Sequence, residues 1–224
     1  MAPSANSIFY ATVVFNGAGD QTLSKTSGTI QASTSWSSTK STGTLVISSY
    51  SVANIPSYAD TFTWTGGSIS TSDTAMKILN LTLSGGTFTA GSNVTIGTDD
   101  TGDLGAFTLS GGTFVASSGT TIFSGNFTRT SGTYTHNSGT TKFNMVSQNS
   151  NIITATDVIF NNITFTRSAL VNIFFNYYTY IDVGFTVAGN MVVENGTGVN
   201  PIFVQSRNSV NPTITVQGNL TFPN

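Results

Sequence analysis

The densest acidic group in the chain is Asp99-Asp100-Thr101-Gly102-Asp103. Carboxylates one and four positions apart in a glycine-containing turn can supply oxygen ligands to Ca²⁺. Asp and Gly are also what a tight solvated turn selects, and the segment lacks the full calcium-loop spacing that ends in Glu. Ca²⁺ on Asp99, Asp100 and Asp103 is the one cofactor the sequence offers. Glycoside hydrolysis by paired carboxylates needs two of them on one face, roughly 5–10 Å apart. In the repeat register derived below, the residues one coil beyond Asp99 and Asp100 are Gly125 and Asn126, so no second acid stacks beside them; Asp73, Asp157 and Asp182 each stand alone. The single histidine, His136, has no Cys and no second His with which to build a triad. No catalytic residue is assigned, and the chain is expected not to be an enzyme.

Side chains that bind are better represented. Residues 173–182, Ile-Phe-Phe-Asn-Tyr-Tyr-Thr-Tyr-Ile-Asp, hold the densest aromatic group. Strand alternation places Phe174, Tyr178 and Tyr180 on one face and Phe175, Tyr177 and Ile181 on the other. If one face is core, the other displays rings for stacking on sugars or docking a partner; burial of both faces under a loop or subunit is the alternative. Outward Thr-x-Thr pairs, Thr87/Thr89 and Thr133/Thr135, resemble the flat hydroxyl arrays of ice-binding solenoids, but uneven repeat steps and Val115 argue against such a surface. Six Asn-x-Thr sequons, at Asn80, Asn93, Asn126, Asn162, Asn195 and Asn219, permit glycosylation in a competent host.

The elements carrying these residues follow from composition. Only seven basic and nine acidic side chains occur in 224 residues, whereas Ser, Thr and Asn number 89 and Gly 23. With 38% hydrophobic residues and a net charge of −2, the chain has apolar surface to bury and little self-repulsion to keep it unfolded. Its commonest residues do poorly inside helices. The scattered Lys and Arg give no footprint for nucleic acid. Without Cys there are neither disulfides nor thiolate sites, and no apolar run reaches the ~18 residues of a membrane span. The N-terminal Met-Ala-Pro-Ser-Ala-Asn-Ser lacks the form of an intact signal peptide.

Internal repeats set the fold class. Ser84-Gly85-Gly86-Thr87-Phe88-Thr89-Ala90, Ser110-Gly111-Gly112-Thr113-Phe114-Val115-Ala116 and Thr130-Ser131-Gly132-Thr133-Tyr134-Thr135-His136 align directly. Weaker copies lie at Thr65 to Ser70, Gly43-Thr44-Leu45 and Gly28-Thr29-Ile30. Two residues after the second Gly stand Ile69, Phe88, Phe114 and Tyr134; three before it stand Leu83 and Leu109; Val94 and Ile96 answer to Ile122 farther on. A coil of about 20 residues cannot bury such a face alone, whereas stacked coils bury it in continuous ladders. The prediction is a right-handed parallel β-helix (β-solenoid), on the order of 50 Å long for ten coils at ~4.8 Å each. An antiparallel β-sandwich is the alternative. Arg129 falls in the Leu83/Leu109 slot and His136 in the Ala90/Ala116 slot. A one-residue slip of that coil, which turns every side chain over, is the preferred explanation, ahead of a polar pocket.

Ile78-Leu79-Asn80-Leu81-Thr82-Leu83 is echoed as Ile159-Phe160-Asn161-Asn162-Ile163-Thr164-Phe165, and Val14-Phe15-Asn16-Gly17 as Lys142-Phe143-Asn144-Met145. With phrases such as Gly125-Asn126-Phe127-Thr128 and Tyr134-Thr135-His136-Asn137-Ser138-Gly139-Thr140, the chain resembles the β-helix repeat regions of bacterial secreted and cell-surface adhesin-like proteins, most clearly over residues 78–166. The resemblance implies an extracellular, non-enzymatic module. Its partners would be copies of itself, a larger repeat protein, or glycans.

A single elongated domain spans 1–224, with 1–25 a capping or donor strand, 26–166 the clearest repeats and 167–224 less regular aromatic-rich coils. For self-assembly into a filament, fibre or sheath, the candidate residues are Ile8, Phe9, Tyr10, Val13, Val14 and Phe15 at one end and Leu220 and Phe222 at the other. A virion fibre or tailspike is a further alternative.

Overall fold

The computed structural model describes residues 7–9, 12–24, 30–32, 35–48, 61–71, 76–97, 105–146, 152–167, 177–194, 202–206 and 211–223, and the described residues contain strands and turns but no helix. Each described strand is two to six residues long, and most alternate side chains between inside and outside. Thr, Val, Ile and Phe occupy most strand positions, the residue types that suit a pleated, half-buried surface.

The strands stack coil upon coil as a β-solenoid. A nine-stranded sheet carries Val13–Phe15, Trp36–Ser38, Thr61–Trp64, Asn80–Leu83, Ala106–Leu109, Asn126–Arg129, Ile152–Ala155, Tyr177–Ile181 and Ile202–Gln205 in that order. A six-stranded sheet runs from Gln21–Ser24 to Thr133–Thr135, and a seven-stranded sheet from Met76–Ile78 to Leu220–Thr221. Two shorter sheets complete the set: Ser7–Phe9 with Ile30–Ala32, and Ile159–Phe160 with Phe185–Val187 and Ile214–Val216. The pairings in all of them are parallel, which excludes the antiparallel sandwich. Nine strands one ladder spacing apart make a stack roughly 40 Å long.

The first core column is the one that the repeats predict. Ile69, Phe88, Phe114 and Tyr134 stand in one register file, with Phe88–Phe114 and Phe114–Tyr134 ring centroids 5.4 and 5.7 Å apart. A second column, Phe123, Phe143 and Phe165, stacks at 5.7 and 5.5 Å on the seven-stranded sheet. Such ring pairs contribute about 0.5–1.5 kcal/mol beyond the area they bury.

Gly43, Gly67, Gly86, Gly112 and Gly132 all adopt left-handed backbone, with φ between 68° and 77°, at the corner between the nine- and six-stranded sheets. A Cβ on Gly112 would overlap the carbonyl oxygen of Gly86 one coil below. Conformation and stacking space therefore both require glycine there.

Several expectations need correction. Gly28 lies outside the described residues, and the strand beneath Thr44–Ser48 is Gln21–Ser24, while Ile30 belongs to another sheet. The Ile78–Leu83 echo is not a structural repeat: Asn80–Leu83 lies in the nine-stranded sheet and Asn162–Arg167 in the seven-stranded one. Likewise Val13–Phe15 and Thr140–Met145 lie in different sheets. Ile122 does not match Ile96; it pairs with Thr95, while Thr121 and Phe123 turn inward. The corner at Ser117–Gly119 is one residue longer than its counterpart, and its polar atoms close on themselves. Ser117 N–H donates to Thr121 Oγ1 at 3.0 Å, Gly119 N–H donates to Ser117 Oγ at 2.9 Å, and that hydroxyl donates to Ser92 O.

Candidate functional site

Residues that face outward from the nine-stranded sheet form the most regular surface on the molecule. The register aligns Ser37, Thr63, Thr82, Thr108, Thr128 and Thr154 in one file. Two positions farther along is a second file of exposed residues, Thr39, Thr65, Ser84, Ser110, Thr130 and Thr156, in which the Thr65 hydroxyl donates to Ser38 O. It is aligned because the N–H of Thr65, Ser84, Ser110 and Thr130 donates to Ser38, Trp64, Leu83 and Leu109 of the preceding coil. Twelve hydroxyls thus form a two-by-six array, with ~4.8 Å between coils and roughly 6.6 Å between files. On the six-stranded sheet, by contrast, the file Thr22, Val46, Ser70, Thr89, Val115, Thr135 is interrupted twice.

Toward the last coils the same outer face becomes aromatic. Tyr178 and Tyr180 project outward, partly exposed, while Thr179 and Ile181 are buried beneath them. Their rings stack at 5.8 Å and 15°. Tyr178 pairs in register with Phe203 of the following coil, whose ring stacks on it at 5.1 Å and 20°. Phe203 escapes a sequence reading because Ile202-Phe203-Val204 is apolar throughout, so alternation cannot say which ring faces out. Asp182 continues the file of Thr154. Among the described residues, none of these outward positions holds Lys or Arg.

Arg129 is not in a slipped coil. It pairs with Leu109 and Ala155 in the common register and occupies an inward ladder slot. Its charge is carried to the corner, where Nε and Nη2 donate to Gly132 O at 3.1 and 2.6 Å and Nη1 donates to Thr156 O. Trp64, in the same ladder, also donates to the carbonyl three residues on, Gly67 O, at 3.3 Å. The slot thus accepts a polar head wherever the corner carbonyl lies within reach. His136 accepts from Ser138 N–H at 3.0 Å through Nδ1, in a tight turn closed by Gly139 N–H donating to His136 O; Asn137 and Ser138 both have positive φ.

Lys40 gives no signal in the sequence, yet it is buried at 2% exposure. Its three donors are all used: Nζ donates to Gly17 O at 2.5 Å, Gly19 O at 2.7 Å and Gln21 Oε1 at 3.0 Å. A buried ammonium with every donor satisfied ties the first two coils together. Tyr134 is a further polar side chain that faces the core. Its hydroxyl pairs with Thr141 Oγ1 at 2.9 Å, and burial pushes its phenol well above the usual range, an effect the Thr141 hydrogen bond partly offsets.

Asp99, Asp100 and Asp103 lie outside the described residues, as do Tyr10, Phe174, Phe175 and Asn195; Ile8, Phe9 and Tyr177 are described as strand backbone. No cluster of three metal-ligating side chains occurs among the described residues. A shallow groove lined by Asp157, Val158, Ile159, Phe185, Thr186 and Thr215 contains a single acid. Among the sequons, Asn162 Oδ1 accepts from Asn190 N–H at 2.8 Å, and Asn190 Oδ1 from Asn219 N–H at 2.9 Å. That places Asn162 inside an amide ladder, whereas Asn93 and Asn219 are exposed and Asn80 and Asn126 partly so. Val13–Phe15 is paired along one edge with Trp36–Ser38. Val14, Leu220 and Phe222 are 50%, 51% and 65% exposed.

No protein-family model matches this chain, and no curated protein or solved structure matches it either.

Proposed function

We propose that the chain is a non-enzymatic extracellular contact module, adhesin-like in mode of action, in which a stiff β-solenoid presents uncharged side chains to glycans or other hydroxyl-rich surfaces. The observation that carries this reading is the unbroken two-by-six hydroxyl array of the nine-stranded sheet. Each hydroxyl is both donor and acceptor, and each contact is weak alone. Many contacts held at fixed spacing add up without an ordering cost for each one, because the ladder has already fixed them. The test is adhesion of the full chain to a glycan array and to hydroxylated surfaces, beside Thr82→Glu/Thr128→Glu, two coils apart so that the new carboxylates are not ladder neighbours. The wild type should be retained and the charged variant released at unchanged thermal midpoint; equal retention of both would overturn the reading. Release of sugar products from any polysaccharide by the wild type would overturn its non-enzymatic part.

A second reading, a self-assembling filament subunit, is favoured by the exposure of Leu220 and Phe222 on and just after the outermost strand of the seven-stranded sheet. Electron microscopy of the purified chain should then show filaments that Leu220→Ser/Phe222→Ser abolishes.

A further inference from the structure

We infer that Tyr178, Tyr180 and Phe203 form a stacking platform for the pyranose rings of a neutral polysaccharide that lies along the outer face of the nine-stranded sheet. The inference rests on the reading of the chain as a contact module and adds the ligand class and the residues that select it. Tyr178 and Tyr180 are adjacent outward positions of one strand, and Phe203 is the register partner of Tyr178 in the next coil. The rings of Tyr180 and Phe203 each lie within 20° of parallel to that of Tyr178, with centroids 5.8 and 5.1 Å from it, and all three remain partly exposed. The core does not need them, since Ile181, Ile202 and Val204 carry the inward side of the same strands.

Three aromatic side chains on an outer surface otherwise dominated by hydroxyls and amides, with the carboxylate position Asp182 in the same coil, match the two kinds of surface a sugar offers. The C–H face of a pyranose is apolar and lies flat on an aromatic ring, while its hydroxyls seek donors and acceptors around the rim. Gln205, in register with Tyr180, adds an amide to that rim. Tyr180 continues the file of Ile152, Asn126, Ala106 and Asn80, and the hydroxyl files lie two and four positions farther along each strand, so a chain molecule seated on the rings and running along the rod axis would have the Thr and Ser side chains along its flank. The sheet's described outward positions hold no Lys or Arg to neutralise an acidic polymer, which argues for an uncharged one. A protein partner is disfavoured because a stable protein interface needs about 800 Å² per side with an apolar centre, more than three half-buried rings provide.

The experiment is retention of the full chain on insoluble cellulose, chitin and starch, with alginate as the acidic control. It compares wild type, Tyr178→Ala/Tyr180→Ala, Phe203→Ala and the ring-preserving Tyr178→Phe/Tyr180→Phe. The wild type should bind at least one neutral polymer and not alginate. Each alanine variant should weaken that binding by about tenfold per ring removed, with an unchanged circular dichroism spectrum, and the phenylalanine variant should keep most of it. Wild-type binding that survives all the alanine changes would overturn the platform while leaving the contact-module reading in place. Preference for alginate would overturn the ligand class. Retention on none of the polymers, together with failure on the glycan array, would overturn both readings.

Discussion

Two corners of the coil behave differently. Between the nine- and six-stranded sheets, the chain turns in three residues each time over four successive coils: Thr65–Gly67, Ser84–Gly86, Ser110–Gly112 and Thr130–Gly132. Between the seven- and nine-stranded sheets the connection is one residue at Leu79, nine over 97–105, two over 124–125 and six over 146–151. The tight corner is fixed because its left-handed glycine stacks directly on the glycine below. The open corner has left-handed glycines at Gly97 and Gly105, but no column of glycine on glycine that recurs from coil to coil. Most of the unevenness of the repeat therefore falls at the open corner, with smaller differences between the six- and seven-stranded sheets, and the hydroxyl files beside the tight corner stay aligned although coil lengths differ. Uneven steps in the sequence do not argue against a regular surface when the corner that aligns that surface keeps a constant length.

The largest expected effect comes from inserting one residue into each corner. A glycine added between Gly111 and Gly112 turns the following strand over, driving Phe114 out of its column between Phe88 and Tyr134. Loss of a buried Phe from a core costs about 3–5 kcal/mol, so the insertion should at least match that in a denaturant titration. The same glycine added between Asp100 and Thr101, in the open corner, should cost less than about 1 kcal/mol, because lengthening a loop is cheap. Equal costs would dissolve the distinction.

Next is Gly112→Ala, which adds a Cβ where φ is +68° and the Gly86 carbonyl leaves no room. We expect about 2 kcal/mol of destabilisation or more. Below it is the alkaline limb of stability. The folded-state pKa of Tyr134 is raised above the ordinary phenol value, so the unfolded chain loses its proton first. Stability is then full below the ordinary phenol range, about pH 10, and falls as pH rises through it. Tyr134→Phe should flatten that limb, at a neutral-pH cost of about 1–3 kcal/mol for the Thr141 hydroxyl left without its partner. Smallest is Thr128→Val on the outer file, within about 0.5 kcal/mol, since its side chain is not part of the core.

The column of Phe88, Phe114 and Tyr134 was legible because the Gly-Gly corner recurs from coil to coil, with a left-handed glycine stacked on the glycine below. Apolar–polar alternation is common to all the faces. Phrases such as Ile78–Leu83 and Ile159–Phe165 therefore look alike and still belong to different sheets. The buried Lys40 was not legible, since its partners are the carbonyls of Gly17 and Gly19 in another coil, which sequence spacing does not reveal. Arg129 misled for a related reason. Charge in an apolar slot reads as a slip until the Gly132 carbonyl is seen three residues on, as the Gly67 carbonyl is for Trp64.

Because the chain has no native cysteine, disulfide trapping reads register directly. Parallel partners in one outer file lie one ladder spacing apart, ~4.8 Å, inside the Cα range a disulfide spans, about 4.4–6.8 Å. Thr108→Cys/Thr128→Cys should oxidise rapidly within one chain, whereas Thr108→Cys/Phe127→Cys should not, because those side chains point to opposite faces. The reverse outcome would mean that the Arg129 coil is slipped by one residue, and with it the hydroxyl array on which the functional reading stands would be broken.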